Sequence, residues 1–134
     1  MLFALNILRL CRTLPKTEEA AEIASQLRRS GGSTGSHYWA AKRNKSDSAY
    51  INKISGAIEE ADESIFWLTL LQEAEIARGS DTKPLLDEAD ELISIFVSSR
   101  ATATERQSRK RKRFPKPKPE PGRSRTFRLP DDAY

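Results

Sequence analysis

Residues 28–43 read RRSGGSTGSHYWAAKR, and the span 30–36 inside it holds nothing but glycine, serine and threonine. By composition this is a flexible linker, because Gly/Ser runs have low torsional barriers and little to bury. A linker here would split the chain in two. Periodicity argues against it. Upstream, Ala20, Ile23, Ala24 and Leu27 mark one face of a helix that Thr17 can N-cap, with Glu18, Glu19 and Glu22 near its positive end. Steps of three and four residues then land on Gly31, Thr34, Tyr38 and Ala41, all small or apolar, while Arg28, Arg29, Lys42 and Arg43 fall mostly elsewhere. The register survives the glycines, so the stretch is predicted to be helical, with a bend near Gly31 and Gly32. Each glycine in a helix costs roughly 1 kcal/mol relative to alanine. Gly31 and Gly35, one turn apart, are therefore expected to let another backbone approach closely, and Gly35→Leu is expected to disrupt that packing.

The same reading extends in both directions. Phe3, Ile7, Leu10 and Leu14 share a helix face that Pro15 terminates. With no capping residue ahead of its first apolar positions, this first helix is expected to be trimmed at its start. Ser46 is predicted to open a third helix reaching about Arg78 and stopping at Gly79, striped by Ile51, Ile54, Ile58, Ala61, Ile65 and Leu68. Within it IFWLTLL, residues 65–71, spreads apolar surface nearly all round, as a helix that is either central or at a subunit interface does, and it is predicted to serve both the bundle core and a subunit contact, the latter through Phe66, Trp67, Leu70 and Leu71. Asp81 or Thr82 is predicted to cap a fourth helix with Pro84 in its first turn and a core face of Leu85, Ala89, Leu92, Ile93 and Phe96. After about Arg106 the periodicity ends, and five of the seven prolines lie beyond that point. The expected organisation is an all-α, antiparallel up-down four-helix bundle over 1–106 and a disordered, basic, Pro-rich arm over 107–134.

Charge is partitioned along the chain. Residues 1–53 carry nine Lys/Arg against four Asp/Glu, residues 54–99 two against eleven, and residues 100–134 twelve against four. An acidic middle sits between two basic regions. One cysteine, Cys11, excludes an intramolecular disulfide, and one histidine, His37, excludes a histidine-rich metal cluster. GGSTGS lacks the Lys-Ser/Thr and the preceding strand of a phosphate loop. Glu59, Glu60, Asp62 and Glu63 lack the Glu-x-x-His pairs of di-metal bundles and read as a solvated face. No acid, base and nucleophile set can be assembled, so neither an enzyme nor a cofactor is expected. The N-terminal MLFALNILRLC lacks a basic n-region and a cleavage site, and no apolar run reaches membrane-spanning length. The expectation is a cytoplasmic protein without a membrane partner.

Leu14 to Leu71 resembles the four-helix-bundle family that includes proteins encoded in 23S rRNA intervening sequences and the accessory protein of diversity-generating retroelements. The likeness rests on ordered features: Leu14-Pro15 before helix two, Gln26-Leu27-Arg28-Arg29-Ser30 leading into the small residues, Lys42 and Arg43 after Ala41, and Ala61-Asp62-Glu63-Ser64 ahead of Trp67-Leu68. Thr34-Gly35-Ser36-His37 departs from the family pattern, placing an imidazole where relatives commonly carry an asparagine amide. The resemblance implies a helical small-residue stretch, a homopentameric barrel of bundles and no catalytic activity. For the retroelement protein it implies binding to nucleic acid and to a reverse transcriptase.

Two surfaces are candidates for nucleic acid. Arg28, Arg29, Lys42, Arg43, Lys45 and Lys53 are expected near the turn between helices two and three, beside Tyr38 and Trp39. Arg109, Lys110, Arg111, Lys112 and Arg113 are five consecutive cations following helix four. The leading expectation is a non-enzymatic oligomeric scaffold, most simply a pentamer, that binds RNA or DNA through phosphates. The alternative is an adaptor whose basic arm meets an acidic protein.

Overall fold

The computed structural model describes residues 2–122 and contains four α-helices: α1 (Leu2–Thr13), α2 (Glu18–Arg43), α3 (Asp47–Glu73) and α4 (Gly79–Arg113). Connections of a few residues force sequential neighbours to run antiparallel. Each helix packs on the next and α1 packs on α4, closing an up-down four-helix bundle. The helices are unequal, with 12 residues in α1 against 35 in α4. One half of the bundle therefore has four helices around Ile7, Leu27, Leu68, Leu71 and Leu85. The other half has three, around Ala41, Ile54, Ala57 and Phe96.

The small-residue stretch lies within unbroken α2, with Ser30, Gly31 and Thr34 buried. Its hydroxyls are satisfied locally: Ser30 donates to the Leu27 carbonyl (3.2 Å) and Thr34 to the Ser30 carbonyl (2.8 Å). Across the interface Ser64 of α3 lies 2.9 Å from the Ser30 hydroxyl, so two small side chains bring α2 and α3 together with a polar contact inside the core. Close approach occurs at Gly31, not Gly35. A Cβ on Gly31 would lie 2.5 Å from Ile7 Cδ1, whereas one on Gly35 would meet nothing within 4 Å. The close approach expected at Gly35 is thus found at Gly31, where Ile7 of α1 meets α2, while Gly35 opens onto a recess bordered by Ala4, Tyr38 and Trp39. The second close glycine is Gly56 of α3, where a Cβ would sit 3.1 Å from the His37 ring.

Helix ends follow capping chemistry in two of three predicted places. Thr17 accepts from the Ala20 N–H and Ser46 from the Ala49 N–H, both at 3.2 Å. The α3–α4 junction differs from expectation. Helix α3 stops at Glu73, and Glu75 adopts φ 57°, the left-handed region. The Ile76 and Glu75 N–H groups return to the carbonyls of Leu71 (2.9 Å) and Gln72 (3.1 Å), a Schellman closure in which Ile76 packs back on the core. Gly79 then opens α4 instead of closing α3, and Arg78 stands at the N-cap without a side-chain bond. Thr82 is buried and donates to Gln72 Oε1 (2.8 Å), so it ties the two helices and does not act as a cap.

Helix α4 also outruns its expected end near Arg106 by a further seven residues, to Arg113. Residues 115–120 have no regular structure, and the remainder of the expected arm, 123–134, lies outside the described residues. The helix persists because α3 contacts hold it: Ala103 is buried, Gln107 reaches Ser48, and Arg106 and Lys110 reach Asp47. No helix among the described residues is long and apolar enough to cross a membrane.

Candidate nucleic-acid interface

The three-helix end of the bundle gathers the C-termini of α2 and α4 beside the N-terminus of α3. Cations suit helix C-termini, where unsatisfied carbonyls carry partial negative charge. Lys42 and Arg43 occupy the last turn of α2, and Lys110, Arg111, Lys112 and Arg113 the last turn of α4. Lys45 follows in the α2–α3 connection, exposed. Helix propensity and dipole thus account for the position of these residues, and their density sets the field.

Asp47 anchors this end. At the first turn of α3 and with only 10% of its side chain exposed, it receives Arg106 Nε at 2.9 Å and Lys110 Nζ at 3.1 Å. Hydrogen bonds from Lys110 and then Arg106 hold its carboxyl below the ordinary carboxylate range. Because α3 begins at Asp47, α4 has no α3 partner beyond Lys110. Arg111, Lys112 and Arg113 stand past the bundle end, all exposed, with Arg109 paired to Glu105 along the helix. On α2 the Lys42 ammonium sits 4.6 Å from the Tyr38 ring centre and the Arg43 guanidinium 5.4 Å from that of Trp39, which is 54% exposed. Cations and an accessible indole side by side can engage phosphate and base together.

The remaining expected contacts do not join this cluster. Arg28 precedes Lys42 by four helical turns, about 21 Å, and lies beside half-buried Cys11, whose thiol is pushed up by burial and partly restored by Arg28. Arg29 is engaged by two carboxylates of α3, Glu60 (3.2 Å) and Glu63. The Arg29 hydrogen bond, followed by one from Trp67 Nε1 (3.1 Å), holds Glu63 below its usual range. Lys53 borders a 200 Å³ polar recess with His37, Asn52 and Glu59. Arg28 and Arg29 therefore lie apart from Lys42, Arg43 and Lys45, because α2 places them on the opposite half of the bundle.

Of the expected subunit contacts, Leu71 is fully enclosed by its own chain and has no surface left to offer. Phe66 is 57% exposed and meets Trp67 edge to face, with ring centres 4.9 Å apart. Trp67 and Leu70 are partly buried and floor a groove between α2 and α3. The sequence reading missed Arg106, Gln107 and Asp47. Their signal is the four-residue spacing of Arg106 and Lys110, which gains meaning only once the antiparallel register puts Asp47 opposite.

The chain is similar to a protein of unknown function from the S23 ribosomal protein family of Bacteroides thetaiotaomicron, known from its crystal structure. Identity is 28% and the TM-score 0.67, over 72% of this chain and 89% of that one. No curated protein matches the chain. Neither the neighbour's description nor the family's assigns a reaction. The family model covers α1 to α3 and α4 as far as Ser98, leaving the basic end of α4 outside the match. With residues 1–98 matching that model, the chain belongs to the 23S rRNA-intervening sequence protein family.

Proposed function

We propose that this protein is a non-enzymatic oligomeric scaffold that binds RNA or DNA through backbone phosphates at the three-helix end of its bundle. The observation that carries this reading is the run Arg109–Arg113 on the last turns of α4, whose Arg111, Lys112 and Arg113 extend past the start of α3 at the same bundle end as Lys42, Arg43 and Lys45. Among these cations Lys110 is held by Asp47 and Arg109 by Glu105, which leaves Arg111, Lys112 and Arg113 as the main phosphate contacts. Exposed apolar side chains on the body, Phe66, Trp39, Ile95 and Val97 among them, support self-association. Five subunits are the number that the family resemblance implies, and ribosomal RNA is the first polymer to test given the family's description. An oligomer presents several basic ends at once and raises effective concentration without base-specific contacts. A reverse transcriptase as partner rests on the resemblance alone.

Fluorescence anisotropy with single-stranded RNA and duplex DNA over a salt series tests the reading. Affinity is expected to depend weakly on sequence and to fall with salt at a log-log slope of about −0.7 to −0.9 per phosphate contacted. Absence of binding by the intact chain at low salt, with either polymer, would overturn it and leave the basic end to an acidic protein partner.

A further inference from the structure

The groove between the first half of α2 and the last turns of α3 has a volume of 600 Å³, an apolar floor of Ile23, Trp67 and Leu70, and Glu19 and Glu22 on its rim. Trp67 is fixed there, its indole N–H donated to Glu63 and its edge against Phe66. An aromatic floor with carboxylates beside it matches one ligand chemistry closely: an extended, Pro-rich, basic peptide. Such peptides are preorganised as polyproline helices, so little entropy is lost on docking. This chain carries that peptide. Directly after α4 it reads Phe114-Pro115-Lys116-Pro117-Lys118-Pro119, entirely exposed, with Phe114 at 74%.

We infer that the Phe114–Pro119 segment of one copy docks in the α2–α3 groove of a second copy. In a polyproline helix of three residues per turn, Phe114 and Pro117 share one edge and Lys116 and Lys118 occupy the other two. The first edge suits Trp67 and Leu70, and the lysines reach Glu19 and Glu22, which are one turn apart on α2. Reach decides that the contact is between copies. Lys110 touches Asp47 at one end of α3, and Trp67 lies 20 residues along that helix, about 30 Å away. The six residues from Phe114 to Pro119 span only about 19 Å as polyproline, and α4 first carries them further from the groove. The contact joins two different surfaces, so it is head to tail, and a closed ring satisfies every arm. The inference deepens the oligomeric part of the function proposed above and rests on it.

Disulfide trapping in the full-length chain tests the docking. With Cys11→Ala throughout, a Lys116→Cys protein is mixed with either a Gln26→Cys protein, at the groove rim, or a Glu91→Cys protein, on the exposed face of α4. The expected result is at least tenfold more covalent dimer with Gln26→Cys than with Glu91→Cys, a preference that Glu19→Lys with Glu22→Lys removes. Gln26, Glu91, Glu19 and Glu22 lie on exposed helix surface, Lys116 lies beyond α4, and half-buried Cys11 is exchanged for the small apolar alanine, so folding should persist, and circular dichroism verifies it. Light scattering on the same proteins reports the assembly separately. Equal trapping at both sites in an intact oligomer overturns the docking and leaves the oligomer standing. A chain that is monomeric throughout overturns the oligomeric reading and this contact together.

Discussion

Three glycines within five residues of α2 have different consequences, because only one of them meets another helix. Gly31 faces Ile7, which is fully buried and cannot retreat without disturbing the four-helix core. Gly31→Leu is expected to lower stability by about 1–3 kcal/mol, the usual range for overpacking a core. Gly35 faces open space inside a regular helix, so Gly35→Ala is expected to raise stability by about 0.5–1 kcal/mol through helix propensity alone. Urea unfolding of the two variants checks both signs, and a destabilising Gly35→Ala would place a partner over that turn. Gly56 serves α3 as Gly31 serves α2, admitting the His37 imidazole where a side chain would press on it. Packing against Gly56 holds the half-buried His37 ring at the α2–α3 contact.

At the scale of elements, the two ends of α4 are held by different means. Its start follows a Schellman turn in which Glu75, with a Cβ, takes φ 57°. That conformation costs a non-glycine residue roughly 1 kcal/mol or more. Glu75→Gly is accordingly expected to stabilise the chain by about 0.5–1 kcal/mol in thermal or urea unfolding. The far end depends on Asp47, whose pKa is depressed by Lys110 and Arg106. A carboxylate with a folded-state pKa below its unfolded value contributes stability that is fully present above the unfolded value. That contribution disappears as pH falls through the lower, folded one. The last turns of α4 should therefore keep their helical signal across neutral and mildly acidic pH and lose it only below the ordinary carboxylate range. Asp47→Asn should remove that acid transition and show frayed ends already at neutrality. Circular dichroism over a pH series distinguishes the two proteins. Release of Arg106 and Lys110 in the variant should also steepen the salt dependence of nucleic-acid binding.

For the whole molecule, the unequal helix lengths separate two tasks. The four-helix half is closed by α1, while the three-helix half carries the projecting cations and the exposed Trp39. Truncation after Arg113 should leave most of the salt slope in place, because the body and the last turns of α4 remain. Truncation after Arg106 should flatten the slope by roughly one unit per lost phosphate contact. Anisotropy titrations on the two truncated chains decide it, and equal slopes would move the interface away from the end of α4. Charge is also separated along the bundle, since α3 and the first half of α4 are acidic and the C-terminal region is basic. In a head-to-tail assembly this asymmetry favours opposite ends meeting and like ends staying apart.

Local chemistry made much of this protein legible in its sequence. The helical register through the glycines, the Thr17 and Ser46 caps and the bundle class all follow from spacing and capping, which act within a few residues and need no partner. The basic run was equally plain, being a matter of composition. Other outcomes were decided between elements. Which glycine admits α1 depends on where the short helix crosses α2. Whether Leu71 is surface or core depends on how many neighbours close around α3. The extension of α4 to Arg113 depends on Asp47, a residue 63 positions before Lys110 that reaches it only in the antiparallel register. Arg28 and Arg29 left the cluster for the same reason. Proximity in sequence bounds charge density, but the rise of a helix over four turns carries side chains on one face to opposite ends of a bundle.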